Sequence, residues 1–163
     1  MKKNLQLSTL FLFLALAGMS LTSADCNPDA DPGLGPNEMK ASSNVEGSFF
    51  ANDATAVTGT THVVTASMPY TPISGDIEIS LGIPKNATVP YTVNVSSSDA
   101  VINYCLKSAN LCTTFIANKS TGSGTITITS ISPYIEGTFS GTVTQVGGAA
   151  SRVISGGEFK AGF

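Results

Sequence analysis

Charged side chains are scarce in this chain of 163 residues. Asp, Glu, Lys and Arg make up 12% of the sequence, about half of the usual ~25%. The eight Lys and Arg residues are outnumbered by eleven Asp and Glu residues, so the net charge is −3. Because a nucleic-acid-binding protein needs a basic surface to meet the phosphates, this composition argues against nucleic acid as a partner. The length suits one domain with a substantial hydrophobic core.

Groups for catalysis and metal binding are also few. The chain has one histidine, His62, no tryptophan and three cysteines. No Gly-x-Ser-x-Gly elbow is present to expose a nucleophilic serine, and a zinc site would need more His and Cys ligands than the sequence supplies. We therefore interpret His62 as a strand or turn residue, and we predict no cofactor, metal site or catalytic residue.

The first 24 residues have the pattern of a secretory signal peptide. Lys2 and Lys3 form a positive start, residues 10–18 form an apolar stretch, and small residues follow up to Ala24. A membrane span needs about 20 apolar residues, so cleavage after Ala24 is favoured over a transmembrane anchor. Removing residues 1–24 leaves 6 basic and 11 acidic residues, a net charge of −5. The protein is thus predicted to be exported to the outer membrane or cell surface, the periplasm or the medium, where conditions are oxidising.

Residues 25–44 have the composition of a flexible linker. They contain three Pro, two Gly and four acidic residues, and their burial cannot offset the entropy of ordering them. A calcium loop at residues 29–33 is disfavoured because its further oxygen ligands are missing. Cys26 is a candidate for lipidation, although the charged Asp25 departs from the small residues that precede a lipidated cysteine. Otherwise Cys26 is a free or intermolecular thiol.

The other two cysteines are placed for a disulfide. Cys105 and Cys112 flank a polar segment, residues 107–110, that is typical of a turn between two short strands. Cross-strand neighbours bring Cβ atoms to the distance that a disulfide needs. Two separate buried thiols are the alternative, and export favours the disulfide.

From residue 45 to the end, apolar and polar residues alternate with a period of two, which predicts β-strands. Residues 76–83 place Ile and Leu on one face and acidic or polar residues on the other. Similar alternation recurs over residues 89–96, 125–129, 138–144 and 158–163. Residues 100–111 leave room for one turn of helix. About eight to ten strands predict an all-β fold over residues 45–163, either a single antiparallel β-sandwich or a small β-barrel.

Four residues are candidates for a ligand site. Asp76 and Glu78 project from the same strand face, and paired carboxylates can hydrolyse a glycosidic bond. Because they alternate regularly with isoleucine, the favoured interpretation is instead that they lie on the solvated face of an amphipathic strand. Tyr70 and Tyr134 each adjoin a proline in a turn, so they are the tyrosines expected to be exposed.

Four short segments of the β-domain read Val-Glu-Gly-Ser-Phe-Phe-Ala at 45–51, Gly-Ser-Gly-Thr-Ile-Thr-Ile-Thr at 122–129, Ile-Glu-Gly-Thr-Phe-Ser-Gly at 135–141 and Ile-Ser-Gly-Gly-Glu-Phe at 154–159. In their order and spacing they resemble a family of small Bacteroidetes-type cell-envelope proteins. The resemblance implies an all-β domain of unknown function, usually in a lipoprotein, and brings no catalytic residues. Gly137 and Gly141, on either side of Phe139, would let other groups approach a core phenylalanine closely.

These observations predict a non-enzymatic secreted or surface-attached β-domain. It would bind a cell-surface protein or glycan, or serve as a self-assembling adhesion or assembly subunit of the cell envelope. It would contact the membrane only through a lipid at Cys26. The alternative is a small extracellular glycan-active hydrolase that uses paired carboxylates, in which Asp76, Glu78, Asp99 or Glu136 would converge in a pocket. The scarcity of groups for acid–base catalysis favours the hypothesis of a non-enzymatic domain.

Overall fold

A computed structural model describes residues 33–86, 88–109 and 111–163. In these ranges the chain is all-β, with one short 3-10 turn at Thr71–Ile73 and no α-helix. The strands are β1 (Glu38–Ser43), β2 (Gly47–Ala51), β3 (Thr55–Thr58), β4 (Thr61–Tyr70), β5 (Gly75–Pro84), β6 (Tyr91–Asn94), β7 (Val101–Ser108), β8 (Leu111–Ala117), β9 (Ser123–Ser130), β10 (Ile135–Gln145) and β11 (Ser151–Ala161). The predicted signal peptide, residues 1–24, and Cys26 lie outside the described residues.

The strands form one curled antiparallel sheet, a half-barrel. Its order is β2-β1-β11-β10-β8-β7-β5-β4-β3, and β6 joins through β9, which pairs with β10. The long strand β10 changes partner along its length, since residues 136–142 pair with β9 and residues 144 and 145 pair with β8. The prediction of an all-β antiparallel fold is confirmed, with eleven strands in the described residues instead of eight to ten.

The predicted linker boundary at residue 44 is wrong. Glu38–Ser43 forms β1, which lies inside the sheet between β2 and β11. Its alternate residues Met39 and Ala41 are 0% and 8% exposed. The composition of residues 25–44 hides this strand because an average over 20 positions masks a six-residue alternation, and the apolar surface that buries Met39 comes from other strands.

The alternation over residues 76–83 is the packing pattern of β5. Its four Ile and Leu residues point into the core and are at most 1% exposed: Ile77, Ile79, Leu81 and Ile83. The possible helical turn at residues 100–111 is not formed, because Val101–Ser108 is the strand β7 between β5 and β8. Ile102 and Tyr104 lie in its inward phase, and β-pairing on both edges satisfies its backbone.

The predicted disulfide joins the neighbouring strands β7 and β8. Cys105 lies opposite Thr114, and Lys107 lies opposite Cys112, so the two cysteines are diagonal neighbours. Their Cα atoms are 5.7 Å apart and their sulfurs are bonded. The bridge closes the β7–β8 hairpin close to its turn.

Two phenylalanines pack over glycines on the adjacent strand. In the β10–β11 pair, Phe139 lies opposite Gly157 and Phe159 lies opposite Gly137. A Cβ at Gly137 would come within 2.8 Å of the Phe159 ring, and one at Gly157 within 2.7 Å of the Phe139 ring. The sequence-based prediction of close approach at Gly137 and Gly141 is confirmed, since a Cβ at Gly141 would meet a β9 carbonyl.

Where the sheet curls back on itself, β2 and β4 meet through side chains. The Phe50 N–H donates to Sδ of Met68 at 3.3 Å. The Ser67 N–H donates to the Asp53 carboxylate at 3.0 Å. Without these two side chains, both backbone N–H groups would be unpaired donors at a strand edge. Met68 and Asp53 therefore cap the edges of β2 and β4.

Candidate functional site

Of the four carboxylates considered for a hydrolase, only Asp76 and Glu78 lie next to each other. Asp76 and Glu78 share the outer face of β5, as predicted, and Asp76 lies opposite Lys107 of β7. Three of the four are each held by a different lysine: Glu78 by Lys107, Asp99 by Lys119 at 2.6 Å and Glu136 by Lys160 at 3.1 Å. These ion pairs join β5 to β7, the segment before β7 to the segment after β8, and β10 to β11, so they do not bring Glu78, Asp99 and Glu136 together.

The two predicted tyrosines are far apart. Tyr70 ends β4, precedes the 3-10 turn and is partly buried against the core. Tyr134 lies in the loop before β10 and lines an open cleft. Thr55, another residue of the cleft, pairs with Thr65 of β4, and Tyr70 is five residues beyond Thr65, roughly 17 Å along the strand. Only Tyr134 is therefore part of this cleft.

We call this concavity the Tyr134 cleft. It has a volume of about 420 Å³, within the range of ~300–1,000 Å³ that small-ligand sites occupy. Its lining residues come from the segment before β1, from β3, from the loop before β10 and from the end of β11: Asn37, Thr55, Pro133, Tyr134, Gly162 and Phe163. None of the six carries a charged side chain.

Asn37 fixes the floor of the Tyr134 cleft. Its carbonyl accepts the Ala54 N–H at 2.8 Å, and its side-chain Oδ1 accepts the Gly162 N–H at 2.9 Å. Gly162 in turn accepts the Ala56 N–H at 2.7 Å. Asn37 has φ 63°, a left-handed conformation that asparagine tolerates better than most residues. One residue therefore ties the start of β1 to both β3 and the end of β11.

Phe163 forms an exposed aromatic wall of the Tyr134 cleft. Its side chain is 63% exposed, and its ring centroid lies 6.3 Å from that of His62. His62 itself is a buried residue of β4 and contacts the Thr58 hydroxyl through Nδ1 at 3.0 Å. Burial lowers the pKa of His62 from its ordinary value of 6.5, and the nearby positive charge of Lys85 lowers it further. The imidazole is therefore neutral at neutral pH, and its position in β4 confirms the prediction of a strand residue.

Tyr134 forms the second aromatic wall. Nζ of Lys160 lies 5.4 Å from the centre of its ring, which is a cation–π distance. The same Nζ is 3.1 Å from the Glu136 carboxylate. The positive charge nearest to the ring is thus already paired.

A separate cluster of polar side chains is buried behind the turn that joins β1 to β2. We call Glu46, Ser43, Tyr104 and Arg152 the Glu46 cluster. Glu46 accepts hydrogen bonds from the hydroxyls of Ser43 and Tyr104 and from Nε of Arg152 at 2.7 Å. The Arg152 guanidinium also lies 4.5 Å from the centre of the Phe115 ring. Every polar group of the cluster has a partner within it, so its arrangement is that of a structural clamp between β1, β7 and β11.

Burial and hydrogen bonding oppose each other in the Glu46 cluster. Burial raises the pKa of Glu46, but hydrogen bonds from Ser43 and Arg152, together with the charge of Arg152, outweigh it and bring the pKa below the ordinary 4.5. Burial and the adjacent Glu46 carboxylate raise the pKa of Tyr104. Tyr104 therefore stays protonated and acts as a hydrogen-bond donor.

Most residues of the Tyr134 cleft have no local signal in the sequence. Asn37 lies in a segment interpreted as linker, and Thr55 and Phe163 carry no motif. Within residues 33–86, 88–109 and 111–163, no three His, Cys, Asp or Glu side chains are grouped so that they could hold a metal ion. Over the same ranges no helix is long and apolar enough to cross a membrane.

Comparison of the chain with protein families, with curated proteins and with solved structures finds no match. The resemblance to a cell-envelope family therefore stays a prediction from the four segments that carry it.

Proposed function

We propose that this protein is an exported, non-enzymatic β-domain of the cell envelope that binds a ligand or partner at the Tyr134 cleft. The observation that carries the proposal is the lining of the cleft. Two aromatic rings, Tyr134 and Phe163, stand beside uncharged hydrogen-bonding groups of Asn37 and Thr55. A concave apolar surface with a few convergent polar groups is typical of binding sites.

The placement of the carboxylates supports binding over hydrolysis. A glycosidase needs two carboxyl groups on opposite sides of the scissile bond, roughly 5–9.5 Å apart. Asp76 and Glu78 instead project side by side from one face of β5, and Glu78, Asp99 and Glu136 are each paired with a different lysine. The Tyr134 cleft has no carboxylate side chain in its lining.

The strand edges support ligand binding over assembly by strand addition. Met68 and Asp53 cap the edges where β2 faces β4. The edge strand β6 has four residues and follows Pro90, and a proline cannot donate to a ladder. At its other end the Asn94 carbonyl accepts hydrogen bonds from the turn that follows. An incoming strand would find only short or occupied edges at these places.

The binding proposal is tested with cell envelopes isolated from the source organism. The purified protein should sediment with these envelopes, and Tyr134→Ala should reduce the bound fraction. Phe50→Ala is the matched control, because Phe50 is an aromatic residue of β2 that is 52% exposed and lies outside the cleft. Equal binding by the Tyr134 variant, or glycan hydrolysis by the purified wild-type protein, would contradict the proposal.

Export and anchoring are tested separately by the intact mass of the protein from its native cell. Loss of residues 1–24 gives the mass of an unmodified chain that begins at Asp25. A lipid at Cys26 gives a chain that begins at Cys26 and carries the added mass of acyl groups. Retention of all 163 residues would contradict cleavage of the leader.

A further inference from the structure

We infer that the Tyr134 cleft binds a neutral sugar residue of a surface glycan, an inference that rests on the proposed function of the cleft. The first argument is charge. None of the six lining side chains is charged, so an acidic or basic ligand would lose water on entering the cleft without gaining a side chain as an ionic partner. Lys160, the cation beside the Tyr134 ring, is already paired with Glu136.

The second argument is the mixture of surfaces in the cleft. A sugar ring has a face of C–H groups and a rim of hydroxyls, so it needs an apolar platform with hydrogen-bonding groups at its border. Tyr134, Phe163 and Pro133 supply apolar surface, and the Thr55 hydroxyl and the Asn37 amide supply polar groups. The Tyr134 hydroxyl adds a group that can both donate and accept.

The third argument concerns the backbone at the floor of the cleft. An extended peptide that binds by strand addition needs free N–H and C=O groups on a strand edge. The Ala54 and Ala56 N–H groups of the β3 edge are already bonded to Asn37 and Gly162. Recognition in this cleft therefore depends on side chains, which suits a sugar better than a strand-like peptide.

The experiment measures binding of the purified full chain to five probes by calorimetry. Three are neutral trisaccharides: cellotriose, mannotriose and chitotriose. Trigalacturonic acid is the acidic counterpart, and decaproline is a peptide probe for an aromatic groove. Each titration is repeated with Tyr134→Ala, with Tyr134→Phe, which keeps the ring, and with the Phe50→Ala control.

We expect at least one neutral trisaccharide to bind. Tyr134→Ala should weaken that binding about tenfold or more, because an aromatic platform is lost. Tyr134→Phe should keep most of the affinity, and Phe50→Ala should keep all of it. Thermal unfolding of each variant checks that it is folded. If Tyr134→Ala does not fold, Thr55→Arg replaces it, because Thr55 is exposed and the larger side chain would fill the cleft.

Three results would overturn the inference: no binding of any neutral trisaccharide, binding of only trigalacturonic acid or decaproline, or trisaccharide binding that is unchanged in Tyr134→Ala, or in Thr55→Arg where that variant replaces it. The envelope experiment separates this failure from failure of the proposed function. Suppose that envelope binding depends on Tyr134 but no neutral trisaccharide binds. The proposed binding function would then stand, and a neutral sugar would be excluded as the ligand.

Discussion

At the residue scale, Glu46 keeps a carboxylate almost entirely out of water. Its side chain is 4% exposed, and that of its partner Arg152 is 16% exposed. Taking both charges out of water is costly, and only close pairing with further hydrogen bonds offsets that cost. Ser43 and Tyr104 supply these bonds. The Glu46 cluster therefore holds the β1–β2 turn and the start of β11 in one arrangement.

Replacing Arg152 with methionine should strongly destabilise the fold. The substitution leaves the Glu46 carboxylate buried without its cation, and breaking a buried ion pair costs about 3 kcal/mol or more. Urea unfolding measures the change. Lys119→Met is the matched control, because Lys119 and Asp99 are 54% and 81% exposed and an exposed pair contributes less than about 1 kcal/mol. Equal losses in the two variants would refute the clamp role of Arg152.

Gly137→Ala should also destabilise the fold. A Cβ at this position collides with the Thr127 carbonyl and the Phe159 ring, and relief requires a shift of β9 or β11, at a cost of about 2–3 kcal/mol. Gly59→Ala is the control, because a Cβ at Gly59 meets nothing within 4 Å. The midpoint of urea unfolding should fall for the first variant and stay within error for the second. A tolerated Gly137→Ala would mean that β10 and β11 do not approach as closely as described.

At the scale of elements, the β7–β8 hairpin carries the covalent link. Cys112 is exposed near the start of β8, whereas Cys105 is 6% exposed in β7. The bond between Cys105 and Cys112 thus fastens the exposed start of β8 to a strand that is paired on both edges.

Removing this bond should lower stability by about 2.5 kcal/mol, the chain-entropy value for a closed loop of about eight residues. The double variant Cys105→Ala, Cys112→Ser removes the disulfide and leaves Cys26 in place. Its urea midpoint should fall while the far-ultraviolet circular dichroism of the folded state stays that of a β-protein. A midpoint equal to that of the wild type would show that the bond adds nothing to stability.

At the scale of the whole molecule, the free energy of unfolding should decrease in two separate ranges as the pH falls. The pKa values of His62 and Glu46 lie below their ordinary values of 6.5 and 4.5. The folded state therefore binds fewer protons than the unfolded state as the pH falls. The stability that His62 contributes is complete above about pH 6.5 and is lost below it, and the contribution of Glu46 is lost below about pH 4.5.

Urea midpoints at pH 7.5, 5.5 and 3.5 check this prediction. We expect a decrease at each step toward acid. His62→Gln should remove the decrease between pH 7.5 and 5.5 that depends on the imidazole, while the decrease below pH 4.5 remains. An unchanged profile in His62→Gln would show that burial of His62 does not couple protonation to folding.

The sequence predicted those features that depend on neighbouring residues. Two-residue alternation is a local property, so the strand over residues 76–83 and the inward phase of Phe139 could be read directly. The short spacing of Cys105 and Cys112 likewise limited them to one hairpin. Prediction from sequence is wrong at β1, because the composition of residues 25–44 conceals a six-residue alternation. At residues 100–111 the sequence pattern alone does not distinguish the strand β7 from a turn of helix.

By itself, the sequence determined two features of this protein. Its apolar and polar residues alternate as they do in antiparallel strands, and its first 24 residues have the pattern of an export signal. Only the tertiary structure decided which strands become neighbours and where the sheet meets itself. Asn37 and Gly162 are bonded across 125 positions, and the Tyr134 cleft forms around that contact. The physical reason is that alternation sets which face of a strand is buried, whereas the curl of the sheet depends on the packing of all its strands together.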